Sequence, residues 1–280
     1  AGRCRCRGRL RCGRRASRVS EQGQGVARRS ACSAANERSA SARPSGGIVV
    51  TIRDAVQVSG PDAAAYLQGQ ISQDIESLAA GEAAWSLVLQ PTGKLDAWFR
   101  IQRVSDETFL LDIDAGHRDT LVARLRRFLL RTDATIEAVD DMIDAPLTWP
   151  GVVDPTDERQ RIRAGMPRMG AELTDETIPG EGGQQLIDLS VSFTKGCYTG
   201  QELVARIDSR GGNVPRPVRV LQASGDVNVG DEVTVGDDLV GVVTSAAGDV
   251  ALAPLMRKVE IGDQVMVGAV TASVVAPAQS

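Results

Sequence analysis

After Pro215 and Pro217 the sequence breaks into short Val-rich runs separated by Gly and Asp: Val218 to Ala223, Glu232 to Val235, Leu239 to Ser245, Val250 to Leu255 and Gln264 to Val275. Runs this short, with turn residues between them, cannot hold long helices and describe a small β-barrel or sandwich. The change of texture near Arg216 marks 216–280 as a C-terminal β unit.

At the other end, Ala1 to Gly47 is Arg, Ser, Gly and Ala with almost no large apolar residue, too little to offset its ordering entropy. It is expected to be disordered. A basic nucleic-acid arm, an Arg-rich targeting peptide and a mis-assigned start compete to explain it. The abrupt change at Ile48, with no initiator Met and no amphipathic period, favours the last. The first 46 residues hold twelve Arg against Glu21 and Glu37, a net of +10, so a chain of net charge -4 has -14 on the remainder. An acidic body argues against direct contact with nucleic acid, whose phosphates need clustered Lys and Arg. No apolar run reaches the 18 or so residues of a membrane span.

Between these ends the pattern is mixed, and 48–215 reads as one α/β region. Val50, Ile52 and Val56 alternate with polar residues as a strand. Ser59 or Pro61-Asp62 starts a helix over Ala63 to Gly69, continued by Ile71 to Leu78. Ala84 to Leu89 and Leu95 to Val104 flank the turn Pro91-Thr92-Gly93-Lys94 as a hairpin, and Thr108 to Ile113 adds a strand. His117 to Arg131 is a helix with Leu121, Val122, Leu125, Phe128 and Leu129 on one face and Arg118, Arg124, Arg126 and Arg127 elsewhere. Thr135 to Val139 is a strand, Trp149 to Val152 opens an irregular acidic connection, and Arg161 to Pro179 is a Gly- and Pro-punctuated loop of the kind that lines sites. The fold class is α+β.

The chemistry concentrates in Lys195-Gly196-Cys197-Tyr198-Thr199-Gly200-Gln201-Glu202. Four of the five cysteines, Cys4, Cys6, Cys12 and Cys32, lie in the Arg-rich head, so Cys197 alone belongs to the body and no internal disulfide framework is available there, which fits a reducing cytoplasm. Thr199 and Glu202 fit a capping box at the start of a helix through Leu203, Val204 and Ile207. That places Cys197 two residues before the N-cap, where the helix dipole and Lys195 favour the thiolate. A small buried cysteine, an ordinary capping box and an ordinary surface lysine remain open readings of the same residues. His117, the single histidine, has no visible orienting carboxylate, which speaks against a Ser-His-Asp triad or a multi-histidine metal site.

This eight-residue stretch resembles the K-G-C-Y-x-G-Q-E signature of the YgfZ family, folate-binding relatives of the glycine-cleavage T-protein that assist iron-sulfur protein maturation. The resemblance continues through Val58 to Ala63, Leu67-Gln68-Gly69-Gln70 with Gln73-Asp74, the Pro91 to Lys94 turn and Arg161 to Pro179. It implies a T-protein-like folate-binding α/β region closed by a C-terminal β-barrel, with tetrahydrofolate in a central cavity and the region Arg206 to Arg210 near Cys197. It implies Cys197 and Lys195 as the reactive pair, Tyr198, Gln201 and Glu202 beside the cofactor, and iron-sulfur client proteins, including enzymes that modify transfer RNA, as partners.

Two positions depart from the T-protein pattern. The aspartate used there in one-carbon chemistry finds only Asp96, one or two positions out of register, and the folate-contacting glutamate of R-x-E-A-G is Arg163 here. Arg161, Arg163 or Arg100 could instead pair with the folate carboxylates. The resulting expectation is a folate-binding accessory factor with a functional thiol at Cys197 and no metal site. The alternative is a folate-dependent aminomethyltransferase with Asp96 as base.

Overall fold

The computed structural model describes residues 53–139, 157–209 and 211–278, all within the second of two units, Gly46–Ser280. The Arg-rich head with Cys4, Cys6, Cys12 and Cys32, the strand residues Val50 and Ile52, the Trp149 to Val152 connection and Arg210 lie outside the described residues.

The first sheet is antiparallel, in the order β2-β3-β4-β1-β5. Its strands are β1 (Arg53–Ser59), β2 (Ala83–Leu89), β3 (Leu95–Ser105), β4 (Thr108–Asp114) and β5 (Thr135–Val139). β2 and β3 form the expected hairpin around Pro91 to Lys94, where Gly93 takes φ 83°. Leu87, Leu89, Phe99, Ile101, Phe109, Leu111 and Ile113 are fully buried on this sheet. Each such side chain removes apolar surface worth about 1.5–3 kcal/mol relative to exposure.

Two helices cover the sheet: α1 (Ala63–Gln70), which buries Tyr66 and Leu67, and α2 (Arg118–Arg127), which buries Leu121 and Leu125. α2 stops short of the expected Arg131. Phe128 and Leu129 donate to carbonyls three residues back, and Arg131 takes φ 55°. Arg124 is also not on the solvent face: it is buried, with its guanidinium shared among Asp96, Gln70 and the Leu89 carbonyl.

The expected helical continuation over Ile71 to Leu78 does not form. Ile71 is extended and bridges Val88, and Ser72 accounts for the change. Its N–H donates to the Leu87 carbonyl, while its buried hydroxyl donates to the Ser190 carbonyl (2.6 Å) and accepts from the Leu87 N–H (2.8 Å). Ser and its neighbours thus exchange helical bonds for tertiary ones. The loop expected over Arg161 to Pro179 starts inside a short helix, α3 (Glu158–Arg163), capped by Asp157, which accepts from the Gln160 N–H at 2.7 Å. After a 3-10 turn at Pro179–Gly182 come α4 (Gln184–Ser190) and α5 (Gln201–Asp208).

The C-terminal strands are β6 (Val218–Ala223), β7 (Glu232–Val235), β8 (Asp238–Val242), β9 (Ser245–Ala247), β10 (Val250–Pro254), β11 (Gln264–Val267) and β12 (Val270–Val275). The run Gln264 to Val275 is two strands, broken where Gly268 takes φ 55°. They form one antiparallel sheet in the order β8-β7-β11-β12-β6-β10-β9. The sheet curls until Gly241 of β8 bridges Leu255 just beyond β10. A Cβ on Gly241 would lie 2.6 Å from the Pro254 carbonyl oxygen, so this closure needs glycine. Val and Leu side chains fill the interior.

Apolar and polar contacts join the two sheets, among them the following. Ile162 of α3 packs with Val220, Val250 and Leu252. Glu172, 3% exposed, accepts from the hydroxyls of Thr244 (2.7 Å) and Ser245 (2.6 Å) and from the Arg168 N–H (3.0 Å). Arg161 stands 3.5 Å from the same carboxylate.

Candidate functional site

The stretch Lys195 to Glu202 is an extended approach followed by the first turn of α5. Thr199 does not cap the helix, and the expected capping box is absent. Gly200 is the N-cap, at φ 82°, without a side-chain capping bond. Gln201 does the local work, since its side-chain oxygen accepts from the Tyr198 N–H at 3.1 Å. Cys197 is therefore three residues before the N-cap.

Glycine at 200 is dictated by a close approach: a Cβ there would meet the Gln90 carbonyl oxygen at 2.6 Å and Leu89 Cβ at 2.7 Å. Gly93 is locked from the other side, because a Cβ on it would meet Leu203 Cβ at 2.4 Å. The start of α5 is thus seated on the turn of the β2–β3 hairpin. A backbone bond from the Thr199 N–H to the Gly69 carbonyl (3.3 Å) ties the same stretch to α1.

Lys195 does not serve as an ordinary surface charge. Its ammonium donates to three backbone carbonyls, Gln68 (2.7 Å), Ile71 (2.8 Å) and Gln73 (2.8 Å), and lies 5.4 Å from the centre of the Tyr198 ring. Burial lowers it to about 8, opposed by Asp74 and Glu76. Burial also pushes the Tyr198 hydroxyl up to about 12, so it stays protonated near neutral pH. Against these committed neighbours, Cys197 is exposed and free of any disulfide, and Glu202 is exposed beside it in sequence.

The arginines expected near a ligand divide. Arg100 is buried and pairs with Asp112, which Arg53 also engages, and Arg53 donates to Asp114 at 2.6 Å. Desolvation raises the Asp112 carboxyl, and the two guanidinia oppose it. Arg53 and Arg100 both lie over Trp85, which stacks on Trp98 at 4.2 Å. Arg161 is buried in bonds to both Glu158 oxygens and to the Met166 carbonyl. Only Arg163 of the three is exposed. The small cavity beside these groups, lined by Trp85, Trp98, Arg161 and Met166, measures about 40 Å³, room for little more than water.

Asp96 on β3 forms an ion pair with Arg124 at 2.9 Å. His117 is the residue before α2, half-buried, and its Nε2 would stand 2.9 Å from a Cβ on Gly170. Among the described residues no group of three or more His, Cys, Asp or Glu could hold a metal ion.

A cleft of about 350 Å³ lies between α4, α5 and β6. Ile187, Val204, Ile207 and Val214 supply apolar wall, and Arg219 of β6 and Arg257 of the loop after β10 also line it. Sequence reasoning missed these two arginines, because no local pattern joins them to α5. The same helix that follows Cys197 forms one side of the cleft.

No family model matches the chain. Among similar proteins, an uncharacterized protein of Haemophilus influenzae is 28% identical over 234 residues, covering 71% of this chain and 83% of the relative. The tRNA-modifying protein YgfZ of Serratia proteamaculans is 29% identical over 266 residues, covering 69% and 77%. That of Edwardsiella ictaluri is 28% identical over 219 residues, covering 56% of this chain. The chain is similar to the YgfZ proteins. It spans 65% of the length of the Edwardsiella and Klebsiella pneumoniae YgfZ proteins. In three dimensions the chain is similar to the glycine cleavage system aminomethyltransferase T of Bartonella henselae, with a TM-score of 0.65, 15% identity, and coverage of 81% of this chain and 84% of the other. The likeness establishes the T-protein-like α+β fold. No helix among the described residues is long and apolar enough to cross a membrane.

Proposed function

We propose that the chain is a cytoplasmic, tetrahydrofolate-binding accessory factor for the assembly or repair of iron-sulfur proteins, acting through Cys197. One observation carries the reading. In Lys195 to Glu202 the side chains of Lys195, Tyr198 and Gln201 are spent on holding the loop, while the Cys197 thiol is left exposed. A stretch built in this way presents a thiol to a partner rather than burying it.

Tetrahydrofolate fits the residues present. The cleft of about 350 Å³ falls in the ~300–1,000 Å³ range of small-molecule sites, with apolar side chains on one wall and guanidinia on the other. The relatives' description as tRNA-modifying proteins agrees with clients that include enzymes modifying transfer RNA. A single thiolate cannot supply the full ligand set of a stable cluster, so Cys197 would act together with groups from a client.

The fold also supports a second reading, a folate-dependent aminomethyltransferase with Asp96 as base. Its carboxylate is engaged by Arg124 in an ion pair at 2.9 Å.

Two measurements separate these readings. In cells lacking the gene, Cys197→Ala should fail to restore iron-sulfur enzyme activity while Asp96→Asn restores it; full rescue by Cys197→Ala would remove the thiol from the function. Calorimetric titration of the purified chain with tetrahydrofolate under reducing conditions should show binding, and no heat of binding would remove the folate.

A further inference from the structure

The cleft between α4, α5 and β6 holds two cations that the fold does not use. Arg219 sits on β6, opposite Ala253 of β10. Its Nε is buried and has no hydrogen-bond partner, and none of the described residues pairs with the rest of its guanidinium. Arg219 is half-buried as a residue, and the fully buried arginines differ from it in having internal acceptors: Arg100 has Asp112, Arg124 has Asp96, and Arg161 has Glu158. Arg257, exposed on the loop after β10, faces the same cleft and has no side-chain partner among the described residues. A desolvated guanidinium N–H without an acceptor is unfavourable, and a planar anion relieves it with paired, charge-assisted bonds.

Asp208 and Glu260 also line the cleft, but neither forms an ion pair with Arg219 or Arg257. With an acidic body around it, the cleft gains no long-range attraction for anions. Selection therefore rests on local bonds at the two guanidinia and on apolar contact with Ile187, Val204 and Ile207. That combination suits an aromatic body ending in carboxylates better than a bare inorganic anion.

We propose that this cleft is a carboxylate-recognition site in which Arg219 and Arg257 grip the glutamate tail of a folate, with its aminobenzoyl ring against the α4–α5 wall. The identity of the ligand rests on the folate reading given above; the grip itself rests on the cleft. Arg161 and Arg100, engaged in internal ion pairs, are replaced in this role by Arg219 of β6 and Arg257 of the loop after β10.

The test is calorimetry on the full chain with four probes: tetrahydrofolate, N-(4-aminobenzoyl)glutamate, 4-aminobenzoate and pyrophosphate. The wild type should bind the first two, and Arg219→Gln should weaken both by about tenfold or more, as expected for loss of charged hydrogen bonds. Arg257→Gln should do so to a lesser degree, and Arg219→Lys should recover part of the loss. Unchanged thermal unfolding of the variants would show that they fold. If Arg219→Gln binds tetrahydrofolate as the wild type does, the grip is wrong and folate binding stands. If the wild type binds aminobenzoylglutamate but not tetrahydrofolate, the grip stands and the folate reading falls. Binding of neither overturns both, and pyrophosphate or 4-aminobenzoate binding more tightly than aminobenzoylglutamate overturns the assignment to carboxylates.

Discussion

The Lys195 ammonium lies 2.7 Å from the carbonyl oxygen of Gln68, 127 residues away in the chain, and closes the loop that follows α1 by bonding two further carbonyls there. This residue is a structural clamp whose position fixes the approach to Cys197.

Replacement of Lys195 by Met should therefore destabilise the chain by about 2–4 kcal/mol, because it leaves buried carbonyls without donors. Lys195→Arg should not restore stability, since a planar guanidinium cannot direct three donors into the same cage as an ammonium. Urea denaturation measures both, and a loss below about 0.5 kcal/mol for Lys195→Met would show that the carbonyls do not need the clamp.

The same group has a signature in pH. Lys195 is held at about 8 against its usual 10.5, so the unfolded chain binds the proton more tightly than the folded one. Across that window the wild type gains stability from this group as pH rises, and the contribution is complete above the unfolded value. Comparison of wild type with Lys195→Met at pH 7.5 and 9.5 should show the wild type gaining relative to the variant. A gap that narrows with rising pH would contradict the burial of this ammonium.

Gly200→Ala should cost about 2–4 kcal/mol, from the left-handed backbone at φ 82° and from a Cβ forced to within 2.6 Å of the Gln90 carbonyl oxygen. Gly196 has open space around it, so Gly196→Ala is the control and should be close to neutral by thermal unfolding. Equal losses for the two would mean that the docking of α5 on the hairpin turn is not what fixes glycine at 200.

Glu172→Ala should cost about 3–5 kcal/mol, as expected when a buried charged network loses one partner. Thr244, Ser245 and Arg161 would all lose their shared acceptor. Differential scanning calorimetry should show the C-terminal sheet losing cooperativity with the first sheet. A single unshifted transition would show that Glu172 does not couple them.

What the sequence revealed follows the range of the forces involved. The β2–β3 hairpin, β4 and the C-terminal strands rest on alternation and turn residues within a few positions, and these are legible. Ile71 to Leu78 has a helical pattern, yet Ser72 is drawn into bonds with Leu87 and Ser190, the latter 118 residues away. The capping pattern at Thr199 and Glu202 gives way to Gly200 because the hairpin turn leaves no room for a side chain there. Arg100 and Arg161 look alike as free cations in the sequence, and only the placement of Asp112 and Glu158 assigns them to internal pairs. Cys197 stood out by its surroundings in sequence; the cleft beyond it did not, since α5 and β6 meet only in space.

The seating of Leu203 against Gly93 and of Gly200 against Gln90 makes the hairpin turn a gauge for the thiol. An insertion of one residue between Gln90 and Lys94 would leave the strands free to pair as before, because a hairpin tolerates a longer loop. It would nonetheless lift the start of α5 and carry Cys197 with it. The placement of a thiol is thus written more than a hundred residues upstream, and variation in that short turn would shift the thiol without altering a single residue of the motif.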